Sequence, residues 1–577
     1  MTLAKLLQGV IYEVLQEGKG LSQEILSIDF DSRKVIAGSL FICLLGPSVD
    51  RHEYIDDVTQ AGATAVLVEK FNESTVMPAT NNPKSSNLSL EYNPWLADGG
   101  RIHPRPPGYN GTAQLRDSYP SGLTVIQVDN TRQAMALIAA NAYGRPAEKL
   151  SLIGVTGTNG KTSTTHFIEE ILRNCGYKTG IIGTNGVKIG LEPVDIPFAT
   201  STTPDPLELQ EIFAHMVERG VEYVVMEVSS HALALYKVEG LVFDVGVFTN
   251  LTQDHLDLHG TMDNYRLAKA QLFAQSRFAV VNIEDESTPV MLAHFNGDDY
   301  LTYGINNEAG LTALHIEYLA NGMAFEIGGH NLAIAKSDAA SYTRPARVRR
   351  GAPIITARYR LRRIAGRPGA VPITDSPTPL HRFTLNAKAR FNIYNALAAI
   401  GTCFKLGLTL EDICKIKIQG IPGRVQDVPN CLGAHVLVDY AHSPDGIDKI
   451  LKSVREFTSG RLVIIFGCGG DRDKGKRPIM GRIAGELADY CILTSDNPRT
   501  EDPHEIIIQI EEGTKPTGTP YEIIENRRNA IFAGVKMLSA GDALIIAGKG
   551  HEDYQIIGTD TIHFSDYETA MEALDRY

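Results

Sequence analysis

Fourteen residues constrain this chain more than any others. An apolar run, LSLIGV (150–155), leads straight into Thr156-Gly157-Thr158-Asn159-Gly160-Lys161-Thr162-Ser163, and a helical pattern, HFIEEILRNCG, follows shortly after. A strand that turns through glycines into a helix start leaves backbone N–H groups and the positive end of the helix dipole facing one point, which makes an anion cradle. Lys161 adds a point charge, and the hydroxyl of Thr162 is placed to ligate magnesium. The spacing departs from the common G-x-x-x-x-G-K-[ST] form, because Val155 stands where the first glycine would be. The bland alternative is an ordinary strand–helix turn carrying a lysine. Gly-Lys-Thr at the helix start favours a nucleotide site.

The same grammar continues along the chain. VEYVVMEV (221–228), FDVGVFT (243–249), HVLVDY (435–440), RLVIIFG (461–467), CILTSD (491–496) and ALIIAG (543–548) are short β-rich runs that alternate with helical patterns. That alternation predicts stacked α/β layers with largely parallel sheets. Each run ends in Gly, Ser, His, Asp or Lys, and ligands of open α/β sheets bind beyond the carboxyl ends of strands. At 577 residues the chain exceeds what one core usually supports, so several domains are expected.

Composition excludes other classes. A net charge of −13 argues against broad nucleic-acid binding. The seven cysteines are scattered, with no C-x-x-C pair, as in a reduced intracellular protein. No segment reaches the about 18 uninterrupted apolar residues of a membrane span. The N-terminus lacks a leader pattern, so the expected compartment is the cytoplasm. Two stretches read as poorly ordered surface insertions. One (78–122) is rich in Pro, Gly, Asn and Ser, and the other (331–380) has nine arginines between Arg344 and Arg367.

The loop Thr-Gly-Thr-Asn-Gly-Lys-Thr resembles the ATP loop of the Mur ligases and of the related folylpolyglutamate synthetases. The resemblance spans nearly the whole chain outside the two insertions. It implies a three-domain α/β architecture: an N-terminal UDP-binding domain (1–148), a central P-loop-type ATPase domain (149–420) and a Rossmann-like C-terminal amino-acid-binding domain (421–577). ATP would be held by residues 157–163 (Gly157, Thr158, Asn159, Gly160, Lys161, Thr162 and Ser163), with Arg424 of IPGRVQDV and Asp439 and His442 of VDYAHSPDG nearby. For Arg424 the alternative is a solvated arginine in a tight turn.

Three residues that look unremarkable singly gain meaning in that frame. By resemblance, Glu227 of MEVSSHAL, His255 of FTNLTQDHLDLHG and Lys269 of NYRLAKAQLF would hold magnesium together with Thr162. Lys269 would do so as a carbamate, since a bare ammonium repels a cation. With Lys161 they form the expected catalytic set.

The resemblance also assigns the carboxyl substrate, UDP-N-acetylmuramoyl-L-alanyl-D-glutamate. Its expected contacts are Ser32 of DFDSRK, the turn Pro47, Ser48 and Val49, then Thr202 and Thr203 of TSTTPDPLELQ, Ser229 and Lys237. The threonines have an alternative as caps of the following helix. Arg51 occupies a position where the family usually has glycine.

The incoming amine is expected at GGDRDKGKRP, TSDNPRTEDP and AGKGHEDYQ, through Arg472, Asp496, Asn497, Pro498, Arg499, Gly548 and Glu552. Asp-Asn-Pro-Arg resembles the signature of family members that add meso-diaminopimelate. An arginine grips that molecule's extra carboxylate bidentately, while carboxylates hold its ammonium. The bland reading is a proline-bearing surface turn. The implied reaction is formation of an acyl phosphate with ATP, then attack by the diaminopimelate amine, in peptidoglycan synthesis, by a protein expected to be monomeric. A lysine-adding ligase, or a catalytically inactive nucleotide-binding homologue, are the alternatives. Arg499 weighs against the first, and the presence of Lys161, Glu227, His255 and Lys269 against the second.

Overall fold

The computed structural model describes residues 1–46, 49–70, 118–196, 202–306, 309–319, 322–329 and 381–576. Pro47, Ser48, the 331–380 stretch and all but the last residues of the 78–122 stretch lie outside the described residues.

Among the described residues three large sheets follow one another along the chain, with a two-stranded one, Tyr554–Ile557 and Asp560–His563, after them. The first has the order Glu13–Gln16, Thr124–Val128, Ala65–Glu69, Ser39–Ile42, Ser27–Asp29, parallel except for its first pair. At its edge Arg51 opens a short turn, Arg51–Tyr54, capped by the Asp50 carboxylate, and its guanidinium lies 5.2 Å from the centre of the Phe30 ring.

The second sheet is built around parallel neighbours in the order Thr179–Gly183, Tyr223–Glu227, Ser151–Thr156, Phe243–Phe248, Ser276–Asn282 and Tyr300–Gly304. It continues through Leu311–Leu319 into an antiparallel extension, Gly322–Gly328 and His381–Leu385. The helices Lys161–Asn174 and Phe391–Lys405 cover one face, burying Phe167, Ile171, Ile393, Leu397 and Ile400 against Ile153 and Val247.

The third sheet runs Gln426–Asp427, His435–Asp439, Ala543–Ala547, Leu462–Phe466, Tyr490–Leu493, Tyr521–Ile523, and all pairs after the first are parallel. Its strand LVIIF is wholly buried, as expected of a parallel strand covered on both faces, which reads as a continuous apolar run instead of alternating. Each such Val, Leu or Ile contributes about 1.5–3 kcal/mol relative to exposure. The seven apolar runs singled out above all contain strands, six within a residue or two of the expected bounds and the seventh, Tyr490–Leu493, ending three residues earlier than 491–496. All seven cysteines are free, and among the described residues no helix is long and apolar enough to cross a membrane.

Candidate functional site

Strand register brings the central residues together. Tyr223–Glu227 and Phe243–Phe248 flank Ser151–Thr156 in parallel, with Glu227 beside Val155 and Phe248 beside Thr156. Their carboxyl ends therefore deliver Glu227, Gly157 and Thr249 to one edge. Val155 cannot turn the chain because it is still inside the strand, fully buried. The turn begins at Gly157, where a Cβ would overlap the Thr249 hydroxyl, and ends at Gly160, whose φ of +83° places any Cβ 2.4 Å from Asn395 Oδ1.

Two lysines converge on this loop. Lys161 Nζ donates to the carbonyls of Gly157 (3.0 Å) and Thr158 (2.9 Å), and Lys269 Nζ donates to the same Gly157 carbonyl at 2.8 Å. Burial pushes the Lys269 amine well below the usual lysine pKa; the neighbouring Lys161 charge adds to this and Asp254 opposes it. Lys269 also lies 4.4 Å from the centre of the Tyr265 ring. Burial lowers Lys161 too, against the pull of Glu227 and Asp254.

Glu227 is the loop's anionic partner. Its Oε1 accepts from Thr162 Oγ1 (3.0 Å) and from Thr184 N (2.9 Å). His255 stands to one side, at φ +52°, with its ring edge-on to His231 at 4.8 Å and 6.2 Å from the Tyr265 ring. Burial and the adjoining histidine and lysines hold its pKa at about 4, against Asp254. The structure thus joins Thr162, Glu227, Lys161 and Lys269 directly around the loop, and His255 through Tyr265. Among the described residues no three His, Cys, Asp or Glu side chains form a metal-holding group. The Glu227 carboxylate and Thr162 hydroxyl, side by side at the loop, suit a hard cation.

Next to Glu227, Thr203 Oγ1 donates to the Glu227 carbonyl at 3.0 Å and accepts from Ser229 N at 3.2 Å. The capping alternative for the threonines does not hold: the helix Pro206–Glu218 is capped by a box between Asp205 and Glu208. Thr202 lies 3.5 Å from Thr184 Oγ1. Lys237 Nζ is 2.8 Å from Asp205 Oδ1. Ser32 opens a short turn whose cap is Asp31, and Val49 is exposed.

The third sheet meets the loop through Arg424, whose Nη2 donates to Thr162 Oγ1 at 3.4 Å while the guanidinium stacks 4.4 Å over Tyr440. Asp439 accepts from Val425 N and Ala441 N, both at 2.8 Å, and fixes this corner. Between the two sheets opens a cavity of 450 Å³ lined by Asn159, Gly160, Ser163, Asn282, Tyr394, Arg424, Asp439 and His442 among others. Its mix of stacking rings and amides suits a nucleoside.

Tyr440 also links this corner to the Gly548–Glu552 segment, its ring lying 5.3 Å from that of His551, the neighbour of Glu552. There Asn497 donates Nδ2 to Glu552 Oε2 at 3.0 Å. Gly548 has no room for a Cβ, because Asp496 Oδ2 would sit 2.5 Å away. Arg499 is held at φ +52°: its N–H donates to Ile556 O, its carbonyl accepts from Gly558, and Nη1 donates to Gly470 O at 2.8 Å. Arg472 is exposed and flanks Gly469 together with Arg499. Pro498 packs its carbonyl against Gly470. The proline-bearing turn is thus tied to two other loops, at Gly470 and at Ile556–Gly558.

Sequence reasoning missed Thr184, Asp445, Lys549 and the pair Arg477–Glu501. The last three lie in segments already singled out, but nothing in their spacing distinguishes a wall residue from a solvated one.

The Mur ligase middle domain matches residues 155–341, and the domain described as Mur ligase, glutamate ligase domain, matches residues 423–550. A UDP-N-acetylmuramoyl-L-alanyl-D-glutamate–2,6-diaminopimelate ligase of Clostridium acetobutylicum is 37% identical over 576 residues, covering 99% of both chains. The ligase of the same name from Caldanaerobacter subterraneus subsp. tengcongensis is 38% identical over 100% of this chain and 99% of its own. Among solved structures, one titled with that ligase name is 26% identical, with a TM-score of 0.58 over 100% of this chain and 99% of the other.

Proposed function

The chain belongs to the Mur ligase family, and from that premise we propose that it joins meso-diaminopimelate to UDP-N-acetylmuramoyl-L-alanyl-D-glutamate, as its relatives' name describes. It is an ATP-dependent acid–amino-acid ligase of peptidoglycan synthesis. Our reading assigns the three sheets to a UDP-binding, an ATP-binding and an amino-acid-binding domain, divided near residues 148 and 420.

ATP lies in the cavity between the second and third sheets, its phosphates on residues 157–163. Lys161 leaves its own loop carbonyls to neutralise charge on the γ-phosphoryl group as the D-glutamate carboxylate attacks it, giving an acyl phosphate. Arg424 steadies the phosphates from the opposite wall. Thr202, Thr203, Ser229 and Lys237 orient the dipeptide, and Ser32 with the 47–49 turn holds the uridine end. The diaminopimelate amine then displaces phosphate through a tetrahedral intermediate. Arg499 and Arg472 grip its distal carboxylate and Asp496 and Glu552 its distal ammonium. Thr162, Glu227, His255 and carbamylated Lys269 would hold magnesium, which supplies charge neutralisation at the transferring phosphoryl group. We place the enzyme in the cytoplasm as a monomer, with no nucleic-acid or membrane partner.

The observation that best supports this reading is the contact between Arg424 and Thr162, which brings the third sheet up to the phosphate loop. An ADP-release assay with the UDP-muramoyl dipeptide tests it. Turnover with meso-diaminopimelate should exceed that with L-lysine at least tenfold, and equal turnover with lysine overturns the substrate assignment.

A further inference from the structure

Behind the Asp-Asn-Pro-Arg turn lies a charged side chain with no access to solvent. Lys549 is completely buried, and burying an ammonium costs several kcal/mol unless its hydrogens are satisfied. Its Nζ donates to Asn497 Oδ1 at 2.8 Å and to Tyr554 O at 2.7 Å. The carboxylates of Glu552 and Asp496 lie 3.7 and 4.0 Å away. Asn497 Oδ1 also accepts from Ile556 N at 3.0 Å. With two donors on its oxygen, the Asn497 amide has one orientation left, and its Nδ2 is aimed at Glu552 Oε2.

We propose that Lys549 is a positioning and specificity-determining residue of the amino-acid pocket: a buried counter-charge that fixes Asn497 and keeps Asp496 and Glu552 together as an anionic pair for the ammonium of the incoming amino acid. The proposal rests on the diaminopimelate reading above and adds what makes that pocket selective for a cationic head group. Two neighbouring carboxylates resist ionising together. Burial raises the Glu552 pKa and Asp496 raises it further, while Lys549, Asn497 and Arg499 oppose. Lys549 itself is lowered by burial and by Arg527, and held up by Asp496, Glu552 and Asp566. Tyr440 and Tyr554 face both carboxylates as well, and the Cys468 thiol faces Asp496. Arg527 is committed to Asp566 through two hydrogen bonds of 2.7 Å, both side chains fully buried. Lys549 is therefore the cation left to balance the pocket carboxylates from behind, while Arg499 is aimed elsewhere by Gly470 O.

The test replaces Lys549→Met in the full chain and measures ADP release across pH with each substrate varied in turn. KM for meso-diaminopimelate should rise about tenfold or more at neutral pH, while KM for ATP and for the dipeptide stays within about twofold. One pKa unit corresponds to tenfold, so losing the counter-charge should also move the acidic limb of the diaminopimelate KM profile upward by about one pH unit. Lys549→Gln, which keeps a donor but no charge, should show the same upward shift and serves if the methionine variant does not fold. A KM rise that is equal for all three substrates, an acidic limb that does not move, or a wild-type profile in Lys549→Gln overturns the proposal. Failure of the wild-type protein to prefer diaminopimelate over lysine is a separate result, and overturns the substrate reading itself.

Discussion

The carboxamide of Asn159, on the phosphate loop, donates to Asp445 Oδ2 on the first turn of the helix Pro444–Arg455, and Lys449 Nζ lies 2.8 Å from the same oxygen. One hydrogen bond to a charged acceptor thus ties the second sheet's loop to the third sheet beside the nucleotide cavity.

Breaking that tie should loosen closure over ATP. A hydrogen bond to a charged group is worth about 1.5–3 kcal/mol, so Asp445→Ala should lower kcat/KM for ATP about 10- to 100-fold. The stability of the chain should change little. Steady-state kinetics beside a thermal melt checks this, and an unchanged ATP dependence would mean that the contact forms only when the nucleotide is absent.

Lys269→Ala removes the second donor to the Gly157 carbonyl and the group our reading carbamylates. ADP release should fall about 10²- to 10³-fold, the usual effect of deleting one preorganised electrostatic element. Added short carboxylic acids should restore part of the rate, by placing a carboxylate in the vacated space. A purely structural lysine would show the loss without the rescue.

Arg499→Ala should raise KM for meso-diaminopimelate at least 100-fold and leave the low activity with L-lysine nearly unchanged. A guanidinium facing a carboxylate discriminates through the charge left unpaired when that carboxylate is missing. Competition between the two amino acids in one assay reads the ratio directly.

Arg477 is fully buried and makes paired hydrogen bonds of 3.0 Å to both oxygens of Glu501, bridging the GGDRDKGKRP and DNPRTEDP loops. Glu501→Ala removes the carboxylate while Gln509 Oε1 and Gly469 O still accept from Arg477, and should cost about 1.5–3 kcal/mol in unfolding free energy. The Arg477 hydrogen bonds hold the Glu501 carboxyl down to about 2, against about 4.3 in an unfolded chain. Because the folded value is the lower one, this stabilisation is fully present above about pH 4.3 and is lost as pH falls towards 2. Acid titration of stability should be correspondingly shallower in Glu501→Gln than in the wild type.

Much of the site was legible before any coordinates because its signals are local. A glycine-bearing turn between a strand and a helix start dictates its own backbone, so Gly157 to Ser163 reads as a cradle from the strand, the glycines and Gly-Lys-Thr at the helix start, although the spacing is not the common one. The same holds for the strand runs, whose continuous apolar character follows from burial on both faces. Lys237 shows where locality ends. Its ion-pair partner, the Asp205 carboxylate, lies 32 residues away in sequence, and only packing brings the two together. Lys549 is the converse: one more lysine beside a glycine in the sequence, and in the fold a cation sealed behind two carboxylates.

The sequence by itself determined the strand–loop–helix nucleotide cradle, the alternation that builds parallel sheets, and the residue types able to bind phosphate and a charged amino acid. These follow from backbone geometry and side-chain chemistry within a few residues. Only the tertiary structure decided which groups act together. The Gly157 carbonyl shared by Lys161 and Lys269, Arg424 reaching Thr162 across two sheets, and Lys549 buried under Asn497 all depend on strand order and on low-dielectric burial. Those are properties of segments that are distant in the chain and adjacent only once it has folded.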